Sequence, residues 1–272
     1  MLYTSQQAGG FWEHPRRFLD ARLDDHVLTL TLNRPEKKNA LHGPLLHELA
    51  FALTYAHVDK DVWLVVLAAA GDTFCAGMDL KALAEGQATD GEGVPAPNGP
   101  VRLGELMAGL HKPCIVRIQG PVYAGGFLLV AGATYAVTAH SATFSLPEVK
   151  RGLFPFQVLA SLLEIMPARP ALDLCLRART LSATDALSVG LVTNVVPAEQ
   201  LDAAVAELTD ELKQYSPTAM QFGLGAYQQL KSLPRDQQQA FLFEQFGKIQ
   251  QTPDAREGMT AFLEKRKPSW GL

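Results

Sequence analysis

Hydrophobic and polar positions alternate along Val27–Leu32 (VLTLTL), which predicts a strand with one buried face. Val62–Leu67 (VWLVVL) has no polar position, which predicts a strand covered on both faces, and so a central, parallel one. Between them, Pro44–Val58 carries apolar residues at helical spacing, with Pro44 near the first turn. Gly71–Gly77 reads as a loop and Met78–Glu85 as a short helix. Gly86–Pro100 (GQATDGEGVPAPNGP) is a polar loop inside the domain, and Val101–Leu110 is helical. Cys114–Ile118 is a strand, Gly120–Gly132 a turn and helix, and Tyr135–Ala139 and Thr143–Ser145 are short strands. From Phe156 onward helices dominate. Ser182-Ala-Thr-Asp185 is a helix start of the capping-box kind, and Leu191–Val196 is one more strand. Four helical patterns close the chain: Leu201–Tyr215, Pro217–Leu233, Asp236–Gln251 and Pro253–Lys267. Strand–helix alternation followed by a helical tail indicates an α/β core with a helical C-terminal region. Residues 1–20 look like a loosely tied arm.

One stretch needs a membrane test. Ile118–Pro147 contains no Asp, Glu, Lys or Arg and is long enough to cross a bilayer as a helix. Gly120-Pro121, Gly125-Gly126 and Gly132 break it, and its pattern changes from helix-like to β-branched. The expectation is a buried core segment and no membrane partner.

Composition narrows the classes further. The 272 residues are 47% hydrophobic and 19% charged, with a net charge of −4. That excludes a disordered chain and gives no electrostatic footprint for nucleic acid. The charged fraction is below the usual ~25%, so large faces are expected to be buried in layers or between subunits. The three cysteines, Cys75, Cys114 and Cys175, are widely spaced, without the pairing of a metal site or disulfide framework. The N-terminus lacks the charged and apolar regions of a secretory signal, so a cytoplasmic location is expected. His42 and His47, beside a Gly-Pro turn, read as surface residues rather than metal ligands. His111 and His140 read as structural.

Three segments carry candidate chemistry: Gly71-Asp-Thr-Phe-Cys-Ala-Gly-Met-Asp79, Gly120-Pro-Val-Tyr-Ala-Gly-Gly126 and Phe144-Ser-Leu-Pro-Glu-Val-Lys-Arg-Gly152. Small residues in the first two let a ligand approach the backbone closely. Each of those turns opens a helix, so free N–H groups point outward, and two such groups facing one point can hold an oxyanion. The third offers a carboxylate, Glu148, at the end of the charge-free stretch.

In this order, the three segments resemble the enoyl-CoA hydratase/isomerase (crotonase) superfamily. Asn33-Arg-Pro-Glu-Lys-Lys-Asn-Ala-Leu41 is similar to its CoA-contacting stretch, and Asp254–Pro268 to its last helix. The resemblance covers roughly residues 20–270. It implies an α/β fold: a crotonase-like ββα spiral core of two stacked sheets with a C-terminal helical trimerisation region. The implied division is an arm (1–20), an acyl-CoA-binding catalytic core (21–198) and a helical oligomerisation region (199–272). A trimer or dimer of trimers is implied. Coenzyme A enters as part of the substrate, with no separate cofactor and no metal.

Residue by residue, the resemblance assigns oxyanion N–H groups to Met78 and Gly125. It places Lys37, Lys38 and Ala40 at the CoA phosphates and adenine, and Ala76, Asp79 and Leu80 at the adenine end. Phe262 and Lys265 match positions that reach a neighbour's CoA. From the residues alone, Asp79 reads rather as a helix-start or backbone-orienting group than as an acid. Hydratases of the family typically hold two carboxylates; here the first position is Leu128 and the second is Glu148. One base suffices to move a proton from C2 to C4 of a 3-enoyl-CoA, so isomerisation is favoured. The alternatives are a 2-enoyl-CoA hydratase using a substitute acid, from Glu85 or Glu105, and a non-catalytic acyl-CoA-binding subunit.

Overall fold

The computed structural model describes residues 2–84 and 93–271. The larger sheet has six strands in the order β1-β2-β3-β4-β6-β9: Leu19–Asp24, Val27–Leu32, Leu64–Ala69, Cys114–Ile118, Tyr135–Ala139 and Asn194–Val196. Within it, β1 and β2 pair antiparallel and the other described pairs are parallel. The smaller sheet joins β5 (Val122–Tyr123), β7 (Thr143–Ser145) and β8 (Thr180–Ser182). In chain order the helices are α1 (Ser5–Gly9), α2 (Gly43–Val58), α3 (Leu80–Ala84), α4 (Leu103–Ala108), α5 (Phe127–Ala131) and α6 (Phe156–Leu162). Then follow α7 (Ala168–Arg177), α8 (Ala183–Ser188), α9 (Leu201–Leu212), α10 (Pro217–Leu230), α11 (Arg235–Ile249) and α12 (Pro253–Glu264).

The all-apolar run of β3 has a direct cause. Val65 and Leu67 face the main core, shared with Val122 and Phe144 of the smaller sheet. Leu64 and Val66 face the opposite side, where Leu201, Val205 and Leu212 of α9 cover them. The strand begins at Leu64 rather than Val62, because its partner β2 begins only at Val27, opposite Leu64, after the left-handed turn at Asp25 and His26. The Ser182–Asp185 capping box is formed, each side chain bonding the other's backbone N–H. No helix among the described residues is long and apolar enough to cross a membrane.

Four expectations are corrected. The N-terminal arm is firmly packed: Tyr3 and Phe11 are buried, and the Phe11 ring stacks on Tyr55 of α2 at 4.6 Å. Glu48 of α2, itself buried, accepts the Arg17 and Phe18 N–H groups, both at 2.9 Å. Strand β1 starts at Leu19, so a boundary at residue 20 would cut it. Strand β8 was hidden, because three residues carry no period and its partner β7 is distant in sequence. Finally, His42 is not a surface residue: it is buried beside Phe18, while His47 is half-buried. The C-terminal tail packs back on the end of α9, where the Trp270 indole N–H donates to the Gln214 carbonyl at 2.8 Å.

Candidate active site

Three chain segments run in the same direction through one register line. Cys75 bridges Val122 in parallel, and Val122 pairs with Phe144 in parallel. Whatever follows each of these residues therefore emerges at the same end of the small sheet. Met78 comes three residues after Cys75, Gly125 three after Val122, and Glu148 four after Phe144. Topology alone thus brings the three predicted groups out at one end of the small sheet.

The first turn is fixed by backbone pairing. Leu41 N–H donates to the Gly77 carbonyl (2.7 Å), and Asp79 N–H donates to the Leu41 carbonyl (2.8 Å). In a parallel bridge of this kind the bonds come from the neighbours of Met78, so its own N–H points the other way, toward the second turn. Among the described residues it has no acceptor. The second turn is a single 3-10 turn, Ala124–Gly126, continuing into α5. Gly125 lies in its first turn, where N–H groups lack intrahelical acceptors.

The two turns touch. A Cβ on Gly77 would lie 3.1 Å from the Gly125 nitrogen, and one on Gly125 would lie 3.7 Å from the Met78 nitrogen. Ala124 holds a φ of 49°, an uncommon conformation for a residue with a Cβ. The arrangement can present two N–H groups to one oxygen atom.

Glu148 opens the 3-10 turn Glu148–Arg151, closed by Gly152 in the left-handed region at φ 71°. Its Oε2 is buried and has no hydrogen-bond partner among the described residues. Burial pushes its pKa above the ordinary carboxylate range, against a smaller opposing pull from its own backbone N–H and from Arg151. The nearby Cys175 thiol on α7 is pushed up to about 11 by burial and by the Glu148 charge. Leu128 stands one turn beyond Gly125 on the same helix face and is 6% exposed. Its Cδ2 lies 3.8 Å from where a Gly104 Cβ would be, so α4 covers it.

The residues expected around CoA divide into two groups. Lys37 and Lys38 are exposed, and Ala40 is buried. The Lys38 carbonyl accepts the Ala76 N–H at 3.0 Å, bringing that group beside the first turn. Asp79 both pairs with Arg34 (2.8 Å) and accepts the Ala82 N–H of α3 (3.1 Å). Those bonds hold its pKa below the usual carboxylate range, Arg34 being the larger cause. Its observed work is thus to cap a helix and pin a loop. Leu80 is exposed beside it. Phe262 and Lys265 do not join this group in the single chain: Phe262 stands exposed on α12, which packs on α10, and Lys265 is exposed just past its end.

Of the two suggested substitute acids, the Glu105 side chain is exposed and ion-pairs with Arg102 at 3.4 Å. Glu85 lies outside the described residues. His111 is packed against His57, with ring centroids 5.3 Å apart, and His140 is exposed. No cluster of metal-ligating side chains occurs among the described residues. The reading of the sequence missed Asn39 and Arg34, the two side chains that tie the 34–41 segment to the first turn. Their signal is the Asn33–Leu41 run itself, in which the resemblance assigns contacts to the lysines and Ala40 alone.

A sequence model described as enoyl-CoA hydratase/isomerase matches residues 22–272. The enoyl-CoA hydratase EchA19 of Mycobacterium tuberculosis is 35% identical over 250 residues, covering 90% of this chain and 93% of that protein. A carnitinyl-CoA dehydratase of Salmonella arizonae is 34% identical over 255 residues, covering 90% and 94%. Among solved structures, an enoyl-CoA hydratase of Mycobacterium smegmatis superposes with a TM-score of 0.82 at 30% identity, over 94% of this chain and all of that one (100%). The fold is therefore the crotonase fold, and the chain belongs to the enoyl-CoA hydratase/isomerase family of enzymes acting on acyl-CoA thioesters.

Proposed function

We propose that this enzyme moves the double bond of a 3-enoyl-CoA to the 2-position through an enolate. The thioester oxygen takes up negative charge between the N–H groups of Met78 and Gly125. Glu148 removes the proton from C2, the electrons of that C–H bond delocalise over the dienolate, and the same carboxyl returns the proton at C4. The observation that carries this reading is one carboxylate, Glu148, whose Oε2 is buried without a partner, together with an apolar Leu128 at the other expected carboxylate position. Hydration needs water positioned as well as a proton delivered, and a positioned acid–base group contributes about 10²–10⁴ in rate. A single base with a raised pKa suits a group that must both take and return a proton.

Lys37 and Lys38 supply cationic contacts to the CoA phosphates, and backbone groups at Ala40, Ala76, Asp79 and Leu80 meet the adenine end. A trimer or dimer of trimers is part of this reading. Phe243, Phe246, Met259, Phe262 and Leu263 are each more than half exposed on α11 and α12, which supports a role in subunit contacts. Phe262 and Lys265 would then reach the CoA bound to a neighbouring subunit.

The names of EchA19 and of the carnitinyl-CoA dehydratase favour a second reading, hydration or dehydration with an acid other than residue 128. One assay pair separates the readings. Purified protein is offered a 3-enoyl-CoA and a 2-enoyl-CoA, and both conversions are followed. Turnover of the first alone supports isomerisation. Rapid hydration of the second would replace it with the hydratase reading. Tight binding with neither reaction would leave an acyl-CoA-binding subunit.

A further inference from the structure

Asn39 belongs to none of the three turn segments, yet it is fully buried and every polar atom it carries is used. Its Nδ2 donates to the carbonyls of Ala70 (2.8 Å) and Thr73 (2.9 Å), and its Oδ1 accepts the Arg34 N–H (2.9 Å). Its backbone N–H donates to the Arg34 carbonyl (2.9 Å), and its carbonyl accepts the Cys75 thiol (3.3 Å). Lys38 and Asn39 both lie in the left-handed region, at φ 51° and 52°. That double turn aims the Lys38 carbonyl at Ala76 N–H and the Leu41 N–H at Gly77. Asparagine tolerates the conformation better than most residues, because its short side chain bonds locally.

These bonds share one target. Ala70 and Thr73 precede the first turn, and Cys75, Ala76 and Gly77 lead into it. The segment carrying Met78 is thereby held along its length, while the Met78 side chain itself is 41% exposed and anchors little. An oxyanion donor works only from the place where charge develops, and a displacement of ~1 Å can cost ~10² in rate. We infer that Asn39 is a positioning residue that fixes the Met78 N–H for the thioester oxygen. The inference rests on the oxyanion reading given above.

The test is spectroscopic. A conjugated aryl-enoyl-CoA absorbs at longer wavelength when its thioester carbonyl is polarised. The full-length protein is saturated with such a chromophore and its absorption compared with that of Asn39→Ala, folding being checked by circular dichroism. The expected result is a red shift in the native protein that is largely lost in the variant. With it, kcat should fall by about tenfold or more while KM stays within about threefold. A folded Asn39→Ala with the native shift and native kcat overturns the inference. If that variant does not fold, Cys75→Ala, which removes one link to the Asn39 carbonyl, carries the test. It should lose part of the shift, and Cys75→Ser, which keeps a donor, should restore it; an unaltered shift in Cys75→Ala overturns the inference. A native protein without any shift overturns the oxyanion reading and this inference together.

Discussion

A Cβ added to Gly77 would lie 2.5 Å from the Cβ of Ala124 and 3.0 Å from the Tyr123 carbonyl oxygen. Gly77 also holds a φ of 83°, open to glycine and strained for any L side chain. This contact is where the two N–H-bearing turns meet, so their spacing depends on the absence of a side chain. Gly77→Ala should separate them and displace both donors. Loss of one oxyanion donor costs about 10²–10³ in kcat. The expected outcome is a fall of that order, with backbone strain of about 1–3 kcal/mol seen as a lowered Tm. Steady-state kinetics and thermal melts on the same preparation check it; native kcat would show that the turns are not coupled.

Glu148 must be ionised to accept a proton. Its pKa is raised by burial, so kcat/KM should climb with pH along a limb lying above the ordinary glutamate range. Glu148→Gln should abolish that limb and lower turnover of a 3-enoyl-CoA by about 10²–10⁴. The sign for stability is opposite. A carboxyl with a raised folded pKa contributes stability at low pH and loses it as pH rises through that value. Glu148→Gln should therefore be the more stable protein at neutral pH, as measured by denaturant melts.

Leu128 tests the choice of reaction. Leu128→Glu places a second carboxylate one turn from Gly125, in a covered site where α4 packs. Hydration of a 2-enoyl-CoA should rise by about tenfold or more relative to isomerisation. A buried carboxyl costs stability, so a lower Tm is expected alongside. Unchanged partition between the two products would mean that residue 128 does not set the chemistry.

His42 gives a pH prediction away from catalysis. Burial is the main reason its pKa falls to about 4, and the Arg34 charge adds to it. Folded protein therefore holds this imidazole neutral while the unfolded chain protonates it near pH 6.5. Stability should fall as pH drops from about 6.5 to about 4, by up to roughly 3 kcal/mol from this group. In His42→Asn the Tm should depend less on pH across that window, which parallel thermal melts would register.

The half-buried pair of Arg34 and Asp79 has side-chain exposures of 12% and 14%. Removing one partner strands the other's charge. Asp79→Ala should cost about 1–3 kcal/mol and also uncap α3, whereas substitution of the exposed Glu105 should cost little. Chemical denaturation of the two variants separates these cases.

Much of this protein is determined by its sequence. The alternation at Val27–Leu32 and the unbroken apolar run around Leu64–Leu67 report how many faces of each strand are covered, and that is a local property of the pattern. The four C-terminal helices likewise announce themselves by period, and the glycine turns and Glu148 by residue type. Other features were decided only by tertiary structure. Three-residue β8 exists because distant β7 needs a partner. The aromatic arm at Tyr3 and Phe11 is held because α2 offers it a surface. Most of all, the Met78 and Gly125 turns touch and Glu148 follows at the same end of the small sheet because parallel pairing aligns Cys75, Val122 and Phe144, and register between remote segments leaves no mark on local composition. Asn39 shows the same limit: one asparagine in a polar run looks like a turn residue until the carbonyls that surround it are in place.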